Sequence, residues 1–279
     1  MTPTVDQQPD PFRGAGEPPA LAWCGESIRS ILRAPVPHQA HSALNRWLLR
    51  LSMVAVRRSV LSVEGLRHVA PDRDPFVLVL NHNQRREAMA VPLVLIYARG
   101  GKLIHFWSDW MFQLIPVVGL ILQRSQVITV TTKPARPRVL NALRPLFRDP
   151  VPAFTRAIRR IESGASVGVF PEGTINRDPH RLLAGSPGAA RLSLQTGAPL
   201  VPAGIRFPRH SGDGPIPDDS PMTLTLGPAL SPPSPARPGR PSPAEVRGWH
   251  DTMMRELARL SGKSWDAPDA RRTDDADQP

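Results

Sequence analysis

Short apolar runs alternate with helical patterns through the middle of the chain, and this alternation limits the possible folds most. Runs with the length and composition of strands occur near residues 60–64, 76–80, 102–106, 126–131, 166–170 and 200–205. Helical patterns occur near residues 84–99, 151–163 and 187–196. Strands that alternate with helices favour a sheet with parallel pairs. The sequence therefore predicts an α/β fold with a mixed, largely parallel sheet flanked by helices and an N-terminal amphipathic helical segment.

Composition separates a central domain from flanking segments. Residues 1–20 and the acidic residues 263–279 have the composition of disordered tails. Residues 21–58 are predicted to be a helical segment that could associate with a membrane, and residues 59–262 to form the main domain. No internal repeat divides that domain.

A proline-rich stretch covers residues 207–243 inside the domain. Eleven of the 34 prolines lie there, so we expect loops with at most one short strand, at residues 222–227. A terminal helix is predicted over residues 243–260, because Ser242 and Pro243 suit a helix start.

Residues 44–61 have an amphipathic pattern that fits two structures. Apolar side chains recur at helical spacing beside arginines: Leu44, Trp47, Leu48, Leu51 and Val54. The pattern predicts either a helix lying in a bilayer interface or an ordinary helix packed on the core. Residues 106–123, rich in tryptophan and aliphatic residues, likewise suit the core or an interfacial anchor. No apolar run is long enough to predict a membrane-spanning helix.

The charge and cysteine content indicate partners and compartment. A formal charge of +11 favours anionic partners such as lipid head groups, phosphorylated substrates or nucleic acid. Nucleic-acid binding rests on charge alone, since no recognised module is present, and is not expected. The single cysteine, Cys24, suits a reducing compartment. Residues 1–20 lack a signal-peptide pattern, so the expected location is the cytoplasmic face of the inner membrane, as a peripheral or monotopic protein.

Two polar turns follow apolar strands directly. The strand FVLVL runs into NHNQRRE, and SVGVF runs into PEGTINRD. Ligands of open α/β sheets bind beyond the carboxyl ends of the strands. If the two strands are parallel and close, His82 and Glu172 line one cleft. In the second turn, Pro171 fixes its own φ and Gly173 permits a close backbone approach.

His82 and Glu87 are five positions apart, which on a continuous helix separates them by about 140°. The chain must therefore be irregular at His82 and enter its helix later if the two side chains are to meet. The carboxylate can then bind one ring nitrogen and leave the other free to take a proton from a hydroxyl. The alternative is a histidine that only caps a helix, with Glu87 in solvent.

Four sequence blocks together resemble the glycerolipid acyltransferases typified by lysophosphatidic acid acyltransferase. The resemblance covers about residues 60–206, and the blocks occur in the family's order. They are Asn81, His82 and Glu87; Pro116 and Gly119; Phe170, Pro171, Glu172, Gly173 and Thr174; and GAPLVPAGI at residues 197–205.

This resemblance implies acyl transfer from a thioester, acyl-CoA or acyl carrier protein, to the hydroxyl of a lyso-lipid such as 1-acyl-glycerol-3-phosphate. His82 would be the general base and Glu87 would orient it, while Asn81 and the block from Phe170 to Thr174 would shape the substrate site. It implies no cofactor and no metal. His38 and His41 have a metal-like spacing but no carboxylate or thiol neighbours, so we interpret them as loop histidines.

The chain also departs from the family pattern. Glu87 stands where the family has aspartate, and the arginine of the second block has no clear counterpart. Lys133 is nearest by spacing, Arg124 lies earlier, and the arginine after the third block is displaced to Arg177. These changes leave open an ornithine-type or glycolipid acceptor, or a catalytically silent module that binds membranes.

Overall fold

The structure is a computed structural model that describes residues 21–22, 27–39, 42–135, 137–234 and 240–267. The predicted tail over residues 1–20 and most of the predicted tail at the other end, residues 268–279, lie outside the described residues. Cys24 and His41 also lie outside them, so the interpretations of these residues stay predictions.

One sheet runs through the described part of the chain and contains eight strands, numbered here along the sequence. They are β1 (Leu21–Ala22), β2 (Val60–Glu64), β3 (Val77–Leu80), β4 (Ile104–Asp109), β5 (Ile128–Val130), β6 (Ser166–Val169), β7 (Leu200–Arg206) and β8 (Met222–Leu226). Across the sheet their order is β1-β2-β8-β7-β3-β6-β4-β5.

Most neighbouring strands in this sheet are parallel. The pairs β2/β8, β7/β3, β3/β6, β6/β4 and β4/β5 are parallel, whereas β1/β2 and β7/β8 are antiparallel. The predicted mixed, largely parallel α/β sheet is therefore confirmed.

Helices cover both faces of the sheet. The α-helices are α1 (Ile28–Arg33), α2 (Ala43–Val56), α3 (Glu87–Ala98), α4 (Pro116–Arg124), α5 (Ala153–Glu162), α6 (Gly188–Thr196) and α7 (Pro243–Ser261). Short 3₁₀ helices occupy Pro37–Gln39, Leu66–Val69, Pro71–Arg73, Trp110–Leu114 and Arg138–Phe147.

Strand β3 lies at the centre and is buried on both faces. Its side chains alternate between two apolar clusters, as the period of a strand requires. Leu78 and Leu80 belong to the cluster that includes residues of α2 and α3. Val77 and Val79 belong to the cluster that includes residues of α5, α6 and α7. Strand β3 is thus held rigidly from both sides, and the loop that follows it starts from a fixed position.

Several predicted boundaries need correction. The amphipathic pattern of residues 44–61 contains a helix only to Val56, because β2 begins at Val60. Residues 106–123 hold the end of β4, a 3₁₀ turn and most of α4, whose first residue is Pro116. Proline suits that position because it lacks the N–H that the first turn cannot use. The sequence patterns did not predict β1 or α4, whereas α1 lies within the predicted helical segment of residues 21–58.

Helix α7 begins as predicted, with Ser242 and Glu245 forming a capping box. Gly262 ends it in the left-handed conformation, with φ of +73°. The next three residues belong to the folded domain, which corrects the predicted tail boundary at residue 263. Lys263 is buried, and the Trp265 indole N–H donates to Oδ1 of Asp251 at 2.8 Å.

Helix α2 packs on the core, which is one of its two predicted alternatives, and it also exposes apolar side chains. Leu49 and Met53 are buried in the core cluster that α3 shares, whereas Leu44, Trp47 and Leu51 are exposed at 47%, 51% and 55%. The helix therefore packs through one face and presents a second apolar stripe outward. Within the described ranges, no helix has the length and apolarity needed to cross a bilayer.

Candidate active site

The two polar turns singled out in the sequence meet at one edge of the sheet. Strands β3 and β6 are parallel neighbours, and Val79 pairs with Val169. Their carboxyl ends are therefore side by side, and the turns carrying His82 and Glu172 emerge next to each other. The backbone N–H of His82 donates to Oε1 of Glu172 at 2.9 Å, and the backbone N–H of Asn176 donates to the His82 carbonyl at 2.7 Å.

His82 and Glu87 are in direct contact. Nδ1 of His82 lies 2.7 Å from Oε1 of Glu87, and the two side chains are 15% and 0% exposed. Helix α3 begins only at Glu87, so the chain is irregular at His82, as the spacing predicted. Because Nδ1 is committed to the carboxylate, Nε2 is the ring nitrogen that can accept a proton.

The start of α3 holds the Glu87 carboxylate in place. Glu87 is the first residue of the helix, where the backbone dipole favours an anion. The backbone N–H of Asn83 also donates to Oε1, and the Asn83 amide lies 3.4 Å from Oε2. Burial raises the pKa of Glu87, while the hydrogen bonds from His82 and Asn83 oppose that rise.

Glu172 connects three loop segments. Besides accepting from the His82 backbone, it accepts at Oε2 from the Asn176 amide at 2.7 Å and from the Leu183 N–H at 3.0 Å. Both carboxylate oxygens are thus occupied by protein donors. The sequence predicted a substrate contact for Glu172, but in the structure its carboxylate fixes the backbone that carries the histidine.

Asn81 and Phe170 also support His82. The Asn81 amide donates to the Ile205 carbonyl at 3.0 Å and accepts from the Ile205 N–H at 2.7 Å, which ties β3 to β7. The Phe170 ring lies 4.7 Å from the His82 ring, between centroids. Asn81 is fully buried, so its position suits a structural contact rather than the predicted substrate contact.

Lys133 reaches the Phe-Pro-Glu-Gly-Thr turn. Its Nζ donates to the carbonyl of Gly173 and lies 3.6 Å from Oδ2 of Asp109 at the end of β4. Gly173 has φ of +65° and open space around its Cα, and both Gly173 and Thr174 are exposed. Pro171 is buried, and its carbonyl accepts from the Ser186 N–H at 2.7 Å.

The two predicted arginines differ in position. Arg177 follows the same turn, and its guanidinium pairs with Asp218 at 2.6 Å and donates to the Ile216 carbonyl at 2.8 Å. Arg124 ends α4, just before β5 begins, and donates to Asn45 of α2 at 3.4 Å. The carboxyl ends of the parallel strands lie at the other edge of the sheet, so the structure does not bring Arg124 to His82.

Lys263 is a site residue that the sequence reasoning missed. Its Nζ donates to the side-chain oxygen of Asn83 and, at 2.5 Å, to the carbonyl of Asp178. The residue lies 180 positions from Asn83 in a stretch read as a tail. The one local signal was a lone lysine in a chain whose other basic residues are almost all arginine.

The chemistry available at this edge is proton transfer. A buried carboxylate fixes an imidazole through Nδ1, and this arrangement is the usual one for a histidine general base. In the described part of the chain, no group of three or more histidine, cysteine, aspartate or glutamate side chains could hold a metal ion.

Comparisons with known proteins agree with this chemistry. The family model described as Acyltransferase matches residues 60–206. Two chloroplastic 1-acyl-sn-glycerol-3-phosphate acyltransferases, from Arabidopsis thaliana and Brassica napus, are each 28% identical to the chain over 142 and 140 residues. Those alignments cover 51% and 50% of this chain but only 35% of each relative.

A solved structure has the same fold. The crystal structure of the 1-acyl-sn-glycerophosphate acyltransferase PlsC from Thermotoga maritima superposes with a TM-score of 0.52 and 18% identity, over 87% of this chain and 90% of that one. The parallel sheet and the histidine–carboxylate pair at its edge define a protein equipped for acid–base chemistry. With a family match over more than half of its length, the chain belongs to the acyltransferase family.

Proposed function

We propose that the protein transfers a fatty acyl group from a thioester, acyl-CoA or acyl carrier protein, to the hydroxyl of a lyso-lipid. The observation that carries the proposal is the 2.7 Å contact between His82 and Glu87 at the carboxyl edge of the sheet. Membership of the acyltransferase family supports acyl transfer as the reaction.

In the proposed reaction, Nε2 of His82 removes the proton of the acceptor hydroxyl as its oxygen attacks the thioester carbonyl. The tetrahedral intermediate then collapses, the C–S bond breaks, and the thiolate leaves with a proton supplied by the imidazolium. Glu87 stabilises that imidazolium through Nδ1. Base catalysis of this kind contributes about 10²–10⁴-fold in rate.

The first acceptor to consider is 1-acyl-glycerol-3-phosphate, which the names of both plant relatives specify as their substrate. Lys133 and Arg177 are the cations beside the third block, and each retains exposed surface for a phosphate. A lysine and an arginine can both donate charge-assisted hydrogen bonds to phosphate oxygens.

A second acceptor class is favoured by the partners of those cations. Lys133 lies near Asp109, and Arg177 pairs with Asp218, so both positive charges are partly neutralised. Arg124 lies at the other edge of the sheet. A lyso-lipid without a phosphate monoester, such as an ornithine-type lipid or a glycolipid, would need fewer free cations.

The proposal includes a membrane surface as partner, at the cytoplasmic face where thioester donors are available. The exposed stripe of Leu44, Trp47 and Leu51 on α2 supports it, since apolar side chains on an amphipathic helix insert between lipid head groups. Arg50 lies beside this stripe, 5.7 Å from the Trp47 ring.

A panel assay tests the proposal. Purified protein is incubated with acyl-CoA or acyl carrier protein thioester and with vesicles containing one lyso-lipid of each head-group class, and products are identified by mass spectrometry. Acyl transfer to 1-acyl-glycerol-3-phosphate is the expected result, and transfer only to phosphate-free acceptors would select the second class. If vesicles bind but no thioester is consumed with any acceptor, the chain is a silent membrane-binding module.

A further inference from the structure

We propose that Lys263 is a positioning residue for the His82–Glu87 pair and acts through the side chain of Asn83. The proposal rests on the proposed acyl transfer, in which this pair supplies the base. It adds the segment after α7 to the machinery of the site.

A continuous set of hydrogen bonds connects the lysine to the histidine. Nζ of Lys263 donates to Oδ1 of Asn83, the Asn83 amide nitrogen faces Oε2 of Glu87 at 3.4 Å, and Oε1 of Glu87 binds His82. An amide can turn either its oxygen or its nitrogen toward a neighbour. The ammonium group can only donate, so it pairs with the amide oxygen of Asn83, and the amide nitrogen of Asn83 faces the carboxylate.

The lysine also balances charge in a buried region. Lys263 is 8% exposed, its ammonium group donates to the Asp178 carbonyl, and the charges of Glu172 and Glu87 favour its protonated form. Burial lowers the pKa of Lys263, while Glu172, Glu87 and Asp178 oppose that change. A buried ammonium that remains charged favours the ionised form of Glu87, against the effect of burial on that carboxyl.

The local fold delivers Lys263 to this position. Gly262 turns the chain after α7, and Ser264 N–H donates to the His180 carbonyl at 2.7 Å. In return, Leu182 N–H donates to the Ser264 carbonyl at 3.1 Å. The loop after β6 therefore binds both backbone groups of Ser264, the residue that follows the lysine.

The test compares Lys263→Met with Lys102→Met in the full chain. Lys102 is the control, because it too binds one side-chain oxygen and one main-chain carbonyl, those of Asp74 and Pro71, at the opposite edge of the sheet. For Lys263→Met, kcat should fall about 10- to 100-fold with little change in KM, since a misaligned base costs turnover. The acid limb of its pH–rate profile should move to higher pH, because loss of a nearby positive charge makes deprotonation harder.

Two further variants separate positioning from general support of the fold. Lys263→Arg keeps the charge and should restore the acid limb toward the wild-type position. In the Lys263→Met, Asn83→Ala double variant, kcat should be no lower than in the worse single variant, because both changes break one connection. If Lys263→Met does not fold, Asn83→Ala tests the same hydrogen bond by removing its other partner, and kcat should fall in the same way.

A readout without substrate keeps this proposal distinct from the proposed function. The proton between His82 and Glu87 should give a far-downfield NMR resonance, assigned by its absence in His82→Asn. That resonance should weaken or disappear in Lys263→Met and persist in Lys102→Met, even if no acceptor is found. An unchanged resonance together with wild-type kcat in folded Lys263→Met would overturn the proposal.

Discussion

Glu87 stands where the family that the sequence resembles carries an aspartate, and its extra methylene has a geometric use here. The residue is the first of α3, and its carboxylate accepts from both the His82 ring and the Asn83 backbone. A shorter side chain from the same Cα would not reach both donors without movement of the helix. The carboxylate is fully buried, so water cannot replace a lost contact.

Substitutions at Glu87 should distinguish the effect of its negative charge on kcat from the effect of its side-chain length. Glu87→Gln keeps the length but removes the charge that stabilises the imidazolium, and kcat should fall by about 10²-fold or more. Glu87→Asp keeps the charge, so its kcat should fall less than that of Glu87→Gln. Glu64→Gln, an identical change on an exposed strand position, should leave the rate unchanged. Wild-type kcat in folded Glu87→Gln would remove this carboxylate from the mechanism.

At the scale of elements, α7 is packed directly on β7. Gly204 lies in the middle of β7, and a Cβ at this position would collide with the backbone of Leu260 in α7. Arg206 strengthens the same contact, since its Nε donates to the Leu260 carbonyl at 2.7 Å. This close approach positions the end of α7, and therefore Lys263, against the site.

A pair of glycine substitutions tests that packing. Gly204→Ala should lower the free energy of unfolding by about 1–3 kcal/mol, because the obstacle is backbone and cannot rotate away. Gly248→Ala, on the exposed face of α7 with open space around it, should raise the free energy by about 0.5–1 kcal/mol. Urea denaturation measures both changes. Equal stability of the two variants would contradict the close packing of α7 on β7.

Elements with strong local patterns could be predicted from the sequence. Strands such as β3 and β6 are apolar runs bounded by turn residues, and α7 has an explicit start signal. Helix α4 was missed because Pro116 and Gly119 interrupt its pattern, although both fit its first turn and its packing. The two-residue strand β1 is too short to have a period.

Contacts between distant segments could not be predicted in the same way. The His82–Glu87 contact follows from a spacing of five residues and an irregular turn, so it could be predicted from the sequence. The contact of Lys263 with Asn83 depends on how α7 packs, and no local pattern encodes that. Arg124 was predicted to bind substrate from its spacing along the chain. Spacing alone does not show at which edge of the sheet α4 ends, so this prediction was wrong.

At the scale of the whole molecule, the exposed apolar stripe of α2 is the proposed contact with the membrane. A Trp47→Gln, Leu51→Gln double variant should bind vesicles of phosphatidylglycerol and phosphatidylcholine at least about tenfold more weakly, since each apolar side chain lost from the interface costs burial energy. Val139→Gln is the matched control, because Val139 is 76% exposed on the separate segment Arg138–Phe147.

Sedimentation with vesicles measures this binding. Retention of wild-type binding by the α2 variant, with loss of binding in Val139→Gln, would move the membrane contact to the other surface. If added salt weakens vesicle binding equally in the wild type and in the α2 variant, the arginines contribute to binding independently of the apolar stripe.

The most direct test of the account is acyl transfer by His82→Ala, measured by mass spectrometry with the best donor and acceptor from the panel. His82→Ala should reduce kcat by about 10²–10⁴-fold while its circular dichroism stays that of the folded wild type. His210→Ala, at a partly exposed loop histidine that binds the Gly214 carbonyl, should keep full activity. A folded His82→Ala protein that turns over at the wild-type rate would contradict the assignment of His82 as the base.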